Sequence, residues 1–211
     1  MLSVEVAGTE PATPQDNKWG GIAVLRENGY NENERYSMNW REFLKAEIQS
    51  AYATTDSLLA MMDDASLEWK PSTGSNWMTM GQLLKHLTEA CGTAFRGFIT
   101  GDWGLPEGKD FADLPPEEQL PPAEKLPTIT SVAEARRLLR EDEQATLEML
   151  ARCGEEELAN KRAPAPWDPT EMVLGHRLLQ MVDHLKQHKG QLFYYLKLQG
   201  KPVNTGDLWG L

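Results

Sequence analysis

The chain holds four histidines, and three of them stand where they can do chemistry. His184 and His188 are four residues apart, so on a helix their imidazoles stack on one face, one turn from each other. Such a pair can grip one metal ion. His86 stands far upstream among Leu83, Leu84 and Leu87, on the apolar side of another helical pattern, and is expected to point inward. If those two helices pack side by side, all three imidazoles converge. Neutral imidazole suits zinc, nickel, copper and iron(II). Three protein ligands leave a coordination position open, which separates a catalytic site from a structural one. At such a position a bound water or thiol is made acidic enough to be a nucleophile at neutral pH. The bland alternative is an H-x-x-x-H pair on a polar face and a hydrogen-bonded core histidine; spacing alone does not exclude it.

Neighbouring residues add less. Asp183 adjoins His184 but faces elsewhere on a helix. Glu89, three residues from His86, is either a carboxylate that orients it or a solvated charge, and the solvated charge is favoured. His176 is rotated by about 80° from His184 and Cys91 by about 140° from His86. A surface or capping role is expected for His176 and a buried, inert thiol for Cys91. Gly190 and Gln191 read as structural, Gly190 by admitting another helix. The tryptophans near helix ends (Trp40, Trp69, Trp77, Trp103, Trp167, Trp209) read as packing. No HExxH, E-x-x-H, calcium loop or P-loop occurs.

Four helices must position these residues. The first opens at Asn39, with Glu42 three residues on, and carries Phe43, Leu44, Ile48, Ala51, Tyr52, Leu58 and Leu59 at helical spacing to about Asp64. The second follows the Thr79–Gln82 capping box and runs to a stop at Gly101. The third starts at Ser131-x-x-Glu134 and ends near Arg152. The fourth is capped by Asp168, with Pro169 first inside, and runs to about Gln199 before Gly200, about 45 Å in all. Between the second and third lies a proline-rich, acidic connector over 102–130, which reads as extended or irregular. The fold expected is all-α: a four-helix bundle with a long crossover loop between helices 2 and 3. Residues 1–37, broken by proline and glycine, read as an irregular N-terminal extension, and 38–211 as the bundle domain.

With a formal net charge of -11, the chain offers no general attraction to nucleic acid. No apolar run reaches the ~20 residues that span a bilayer, and the N-terminus has no secretory pattern. Two cysteines without CxxC spacing suit a reducing cytoplasm.

The stretch Met80-Gly81-Gln82-Leu83-Leu84-Lys85-His86-Leu87 resembles the second helix of the DinB-like proteins. The stretch Asp183-His184-Leu185-Lys186-Gln187-His188-Lys189-Gly190-Gln191-Leu192, followed by Tyr195-Leu196 and Gly200-Lys201-Pro202-Val203, resembles their last helix and tail. The resemblance covers about Met38 to Gly210 and implies a four-helix bundle whose metal ligands are His86, His184 and His188, none of them substituted. It implies a divalent ion, zinc or nickel, and often a homodimer. Family members include metal-dependent transferases and isomerases that act with low-molecular-weight thiols such as bacillithiol and mycothiol. The functional expectation is therefore a metal-dependent enzyme using a thiol or an activated water as nucleophile, with no catalytic residue assigned. The alternative is a metal-braced bundle with a stress-related binding role and no turnover; a metal-free bundle that uses its acidic loop for a partner is a third.

Overall fold

The computed structural model describes residues 39–211 except 110 and 120, so the expectation of an irregular segment over 1–37 lies outside the described residues. Helix α1, Trp40–Leu59, begins where expected: Asn39 is extended, and its side chain accepts the Glu42 amide at 3.0 Å. Glu155 completes the cap from across the chain, its carboxylate accepting the amides of Trp40 and Arg41 at 2.8 Å each. Leu44, Ile48, Leu58 and Leu59 are wholly buried, each contributing about 1.5–3 kcal/mol of transfer free energy.

The single second helix expected from Thr79 to Gly101 is two helices. α2, Met80–Leu87, starts with a complete capping box: the Gln82 amide donates to Thr79 Oγ1 (3.2 Å) and the Thr79 amide to Gln82 Oε1 (2.8 Å). α3, Gly92–Thr100, ends at Gly101 in the left-handed region. The chain leaves the helix at Thr88 and re-enters at Cys91. The reason lies on another element: the Asp142 carboxylate accepts the Gly92 amide at 3.0 Å and the Cys91 amide at 3.3 Å, capping α3 from the side.

The connector is less irregular than its prolines suggest. It contains 3-10 turns at Phe111–Asp113 and Ala123–Lys125 and a short helix α4, Pro116–Gln119. Pro116 takes the first position of α4 and Pro122 the position that opens the second turn, where a missing N–H costs nothing. The connector then docks on the start of α2. Gln82 Nε2 donates to Leu126 O (2.8 Å) and the Ile129 amide to Gly81 O (3.2 Å). A Cβ at Gly81 would meet Thr128 Oγ1 at 2.4 Å, so this close approach needs glycine.

α5, Val132–Ala151, starts at Ser131, whose hydroxyl accepts the Glu134 amide at 3.1 Å. A short α6, Glu155–Asn160, precedes two isolated antiparallel bridges, Arg162 with Val173 and Ala165 with Asp168. Among the described residues these stand in place of any strand. The last long helix, α7, covers Leu174–Leu198, beginning six residues after the Asp168 cap expected from sequence. Asp168 is otherwise engaged: its carboxylate accepts the Thr170 amide at 3.0 Å and the Arg177 guanidinium at 3.1 Å. A short α8, Thr205–Trp209, packs on α1.

α1 packs against α5 and α7, and α2 and α3 in succession pack against the same two helices. These are the four positions of the bundle, all-α as expected, with the connector crossing between the second and third. Among the described residues, no helix is long and apolar enough to cross a membrane.

Candidate metal centre

His86 lies in the last turn of α2, next to the wholly buried Leu83, Leu84 and Leu87. That apolar face pulls α2 onto α7 and turns the imidazole toward it. On α7, Leu185 and Leu192 are wholly buried and fix the rotation of the helix, so that His184 and His188 face α2. The three rings meet half-buried. His86 Nε2 lies 3.1 Å from His184 Nε2 and 3.1 Å from His188 Nε2. The ring planes are close to mutually perpendicular, at 82°, 84° and 83°.

The outer nitrogens decide which inner ones hold protons. His188 Nδ1 lies 3.0 Å from Gln191 Oε1, an acceptor, so it carries the hydrogen and leaves Nε2 a lone pair. His184 Nε2 faces His86. The His188 tautomer follows from the hydrogen-bond network. Burial, with the two neighbouring imidazoles, pushes His86 down to about 4. Burial also lowers His184 and His188, against the hydrogen bonds to Ala90 and Gln191. All three are therefore neutral at pH 7, the state a metal ligand needs.

Gln191 is held in turn: its Nε2 donates to the Tyr195 hydroxyl (3.1 Å), which donates to Met78 O (3.0 Å). Trp69 and Trp77 stand edge-on to the Tyr195 ring, with centroids 5.2 and 6.2 Å away. Gln191 thus orients a site residue and is more than the structural residue expected from sequence; its three-residue spacing from His188 was the available signal. Among the described residues Gly190 admits no helix, since a Cβ there would meet none of their atoms within 4 Å. The other neighbours fall as expected. Glu89 and Asp183 are exposed and pair with Lys85 and Lys186, and His176 is exposed. Cys91 is fully buried, and burial pushes its thiol up, away from the reactive thiolate.

The model of the DinB superfamily matches residues 47–192, which include all three histidines. The chain belongs to the DinB superfamily. Two solved DinB-like proteins share its fold. One, from Bacillus cereus, is 19% identical over 77% of this chain and 95% of its own, with a TM-score of 0.55. The other, from Bacillus subtilis, is 16% identical over 76% of this chain and 94% of its own, with a TM-score of 0.54. No curated protein matches the chain. In DinB terms, the arrangement brings together the three residues expected to ligate a metal and supplies His188 with an outer hydrogen-bond partner.

Proposed function

We propose that this DinB-like chain binds one divalent cation, zinc or nickel, through Nε2 of His86, His184 and His188, and is a metal-dependent enzyme of the thiol-transferase kind. The observation that carries the reading is the 3.1 Å distance from His86 Nε2 to Nε2 of each of the other two rings, with the three ligand atoms all within 4.8 Å of one another. At metal–nitrogen distances of ~2.0–2.1 Å, three nitrogens on one face of a tetrahedron stand about 3.3 Å apart. The rings are therefore spaced for an ion, and their low basicity keeps them from filling the space with protons.

When bound, the ion would act as a Lewis acid that makes a thiol or water nucleophilic at neutral pH. The chain's own residues prepare for it. Gln191 holds the proton of His188 at Nδ1, so that ring presents a lone pair inward. The reading includes a low-molecular-weight thiol as co-substrate and a homodimer as the assembly.

The test is elemental analysis of tag-free protein, wild type against His184→Ala, followed by a turnover screen with thiols and electrophiles. About one zinc or nickel per chain, lost in the variant, supports the centre. A wild type that takes up neither metal on reconstitution ends it. A metal-loaded protein inert toward a broad thiol panel removes the enzymatic half. In that case, a large fall in melting temperature on chelation would point to an ion that braces α2 against α7.

A further inference from the structure

The outer bond of His188 belongs to a chain of hydrogen bonds that runs back to the helix carrying His86. It ends on a backbone carbonyl. Met78 stands two residues before α2, and its buried carbonyl accepts the Tyr195 hydroxyl at 3.0 Å. That carbonyl has little freedom, since Thr79 caps α2 and the Met80 amide donates to Trp69 O at 2.8 Å. The Tyr195 ring is equally confined. It is 2% exposed, and the Trp69 and Trp77 rings stand edge-on to it. Trp77 is itself tied down by its indole N–H, which donates to Thr73 O at 2.6 Å.

The chain has a direction. A carbonyl oxygen only accepts, and a phenol has one hydrogen to give. Once Tyr195 gives that hydrogen to Met78, its own oxygen can only accept from Gln191. The Gln191 amide must then turn its nitrogen to Tyr195, at 3.1 Å, and its oxygen to His188 Nδ1, at 3.0 Å. Gln191 does not settle this alone, because the two ends of an amide have nearly the same shape and either fits against the ring. Reversing the amide would set its oxygen against the phenol oxygen with no hydrogen between them. The alternative takes the hydrogen from Met78 and strands a buried carbonyl, which folded chains avoid. The spacing of His188, Gln191 and Tyr195 on α7, three residues and then four, puts all three on one face.

We propose that Tyr195 is a positioning residue of the centre: by giving its hydrogen to the Met78 carbonyl it obliges the Gln191 amide to face His188 with oxygen, so that the entry to the helix carrying His86 determines which nitrogen of His188 is left free for a metal. The assignment rests on reading His188 as a ligand, and it names the residue that decides the ring's tautomer.

The experiment uses the full chain labelled with 15N and stripped of metal by chelation, above neutrality, with long-range 1H–15N spectra to read each imidazole tautomer. In wild type, His188 is a single Nδ1–H tautomer, and the Gln191 amide hydrogens show Overhauser contacts to the Tyr195 ring. Tyr195→Phe keeps the ring and removes the hydroxyl, so the amide is free to reverse. His188 then becomes a mixture of tautomers while His184 is unchanged, and zinc affinity in a competition titration falls about three- to tenfold. Combining Tyr195→Phe with Gln191→Glu tests the direction itself. A carboxylate only accepts, so it holds the His188 hydrogen at Nδ1 without help. The single tautomer returns, and most of the affinity with it, which a packing role for Tyr195 would not produce. A single Nδ1–H tautomer that survives in Tyr195→Phe overturns the assignment, as does a double variant no better than Tyr195→Phe. If Tyr195→Phe does not fold, the wild-type contacts decide, and Gln191 amide hydrogens lying against His188 instead of Tyr195 overturn it. A wild type that takes up no zinc would defeat the metal reading alone, since the metal-free spectra still decide what orients His188.

Discussion

Seven residues apart on α7, Arg177 and His184 belong to two buried polar sites with opposite hydrogen-bond balances. Arg177 has no exposed surface, and the chain supplies acceptors around its guanidinium. Nε donates to Ala163 O (3.0 Å), Nη1 to Asp168 Oδ2 (3.1 Å) and Gln180 Oε1 (2.8 Å), and Nη2 to Thr170 O (2.6 Å). Its cation lies 5.7 Å from the centroid of the Phe98 ring. Further along the helix, three imidazoles turn their inner nitrogens on one another. A buried polar group partnered entirely by its own chain is architecture. A group of three that can satisfy each other only in part is prepared for something from outside.

The sharpest way to break the comparison is to remove the satisfied member. Arg177→Met strands Asp168 and two carbonyls at the entry to α7, and it is expected to cost about 3–5 kcal/mol in urea denaturation. Metal bound per folded chain should stay the same. A loss of metal together with stability would mean that the two sites are one. Next comes Gln191→Leu, which leaves the packing but frees the outer nitrogen of His188. Metal affinity should fall about 10–100-fold, with metal-free stability changing by under about 1 kcal/mol. A variant that loses stability but no affinity would make Gln191 a bundle residue after all.

A third test is in pH. His86 is held at about 4 against its ordinary 6.5. Between those values the unfolded chain binds more protons, so the stability of metal-free protein falls as pH drops from about 6.5 to about 4. His184 and His188, both lowered, act in the same direction. Asp142 opposes them. Raised from 3.8 to about 6, it takes up its proton first in the folded state, which favours folding as pH falls through that window. Denaturation across pH should therefore show a flatter slope in His86→Gln and a steeper one in Asp142→Asn, each relative to chelated wild type. Identical slopes would remove the buried-imidazole account.

Features whose signals are local were legible in the sequence. Asn39, Thr79 with Gln82, and Ser131 cap their helices because each partner is three residues away. His184 and His188 share a face because helical geometry requires it. Features set by distant partners were not. Asp168 and Pro169 have the types of a helix start, but the Arg177 guanidinium and the Thr170 amide claim the carboxylate, and α7 begins at Leu174. The interruption after Leu87 has no proline to announce it. Its cause is Asp142, 50 residues from Gly92, and no window along the chain contains both. Gln191 lay between the two cases: its spacing from His188 was visible, but its Oε1 could be assigned to the ring only once Tyr195 was seen to hold the amide's other end.

The interruption of the second helix also has an electrical side. α2 is eight residues long and His86 is its next-to-last, so the three nitrogens gather beside the negative pole of a helix. Peptide dipoles summed along a helix favour a cation at that end by about 0.3–1 kcal/mol, and only within the last turn. Had the helix run unbroken to Thr100, its pole would lie about 20 Å further along, and His86 would sit mid-helix, where the field has little effect. The break therefore gives the site a standing attraction for positive charge that is present before any ion arrives.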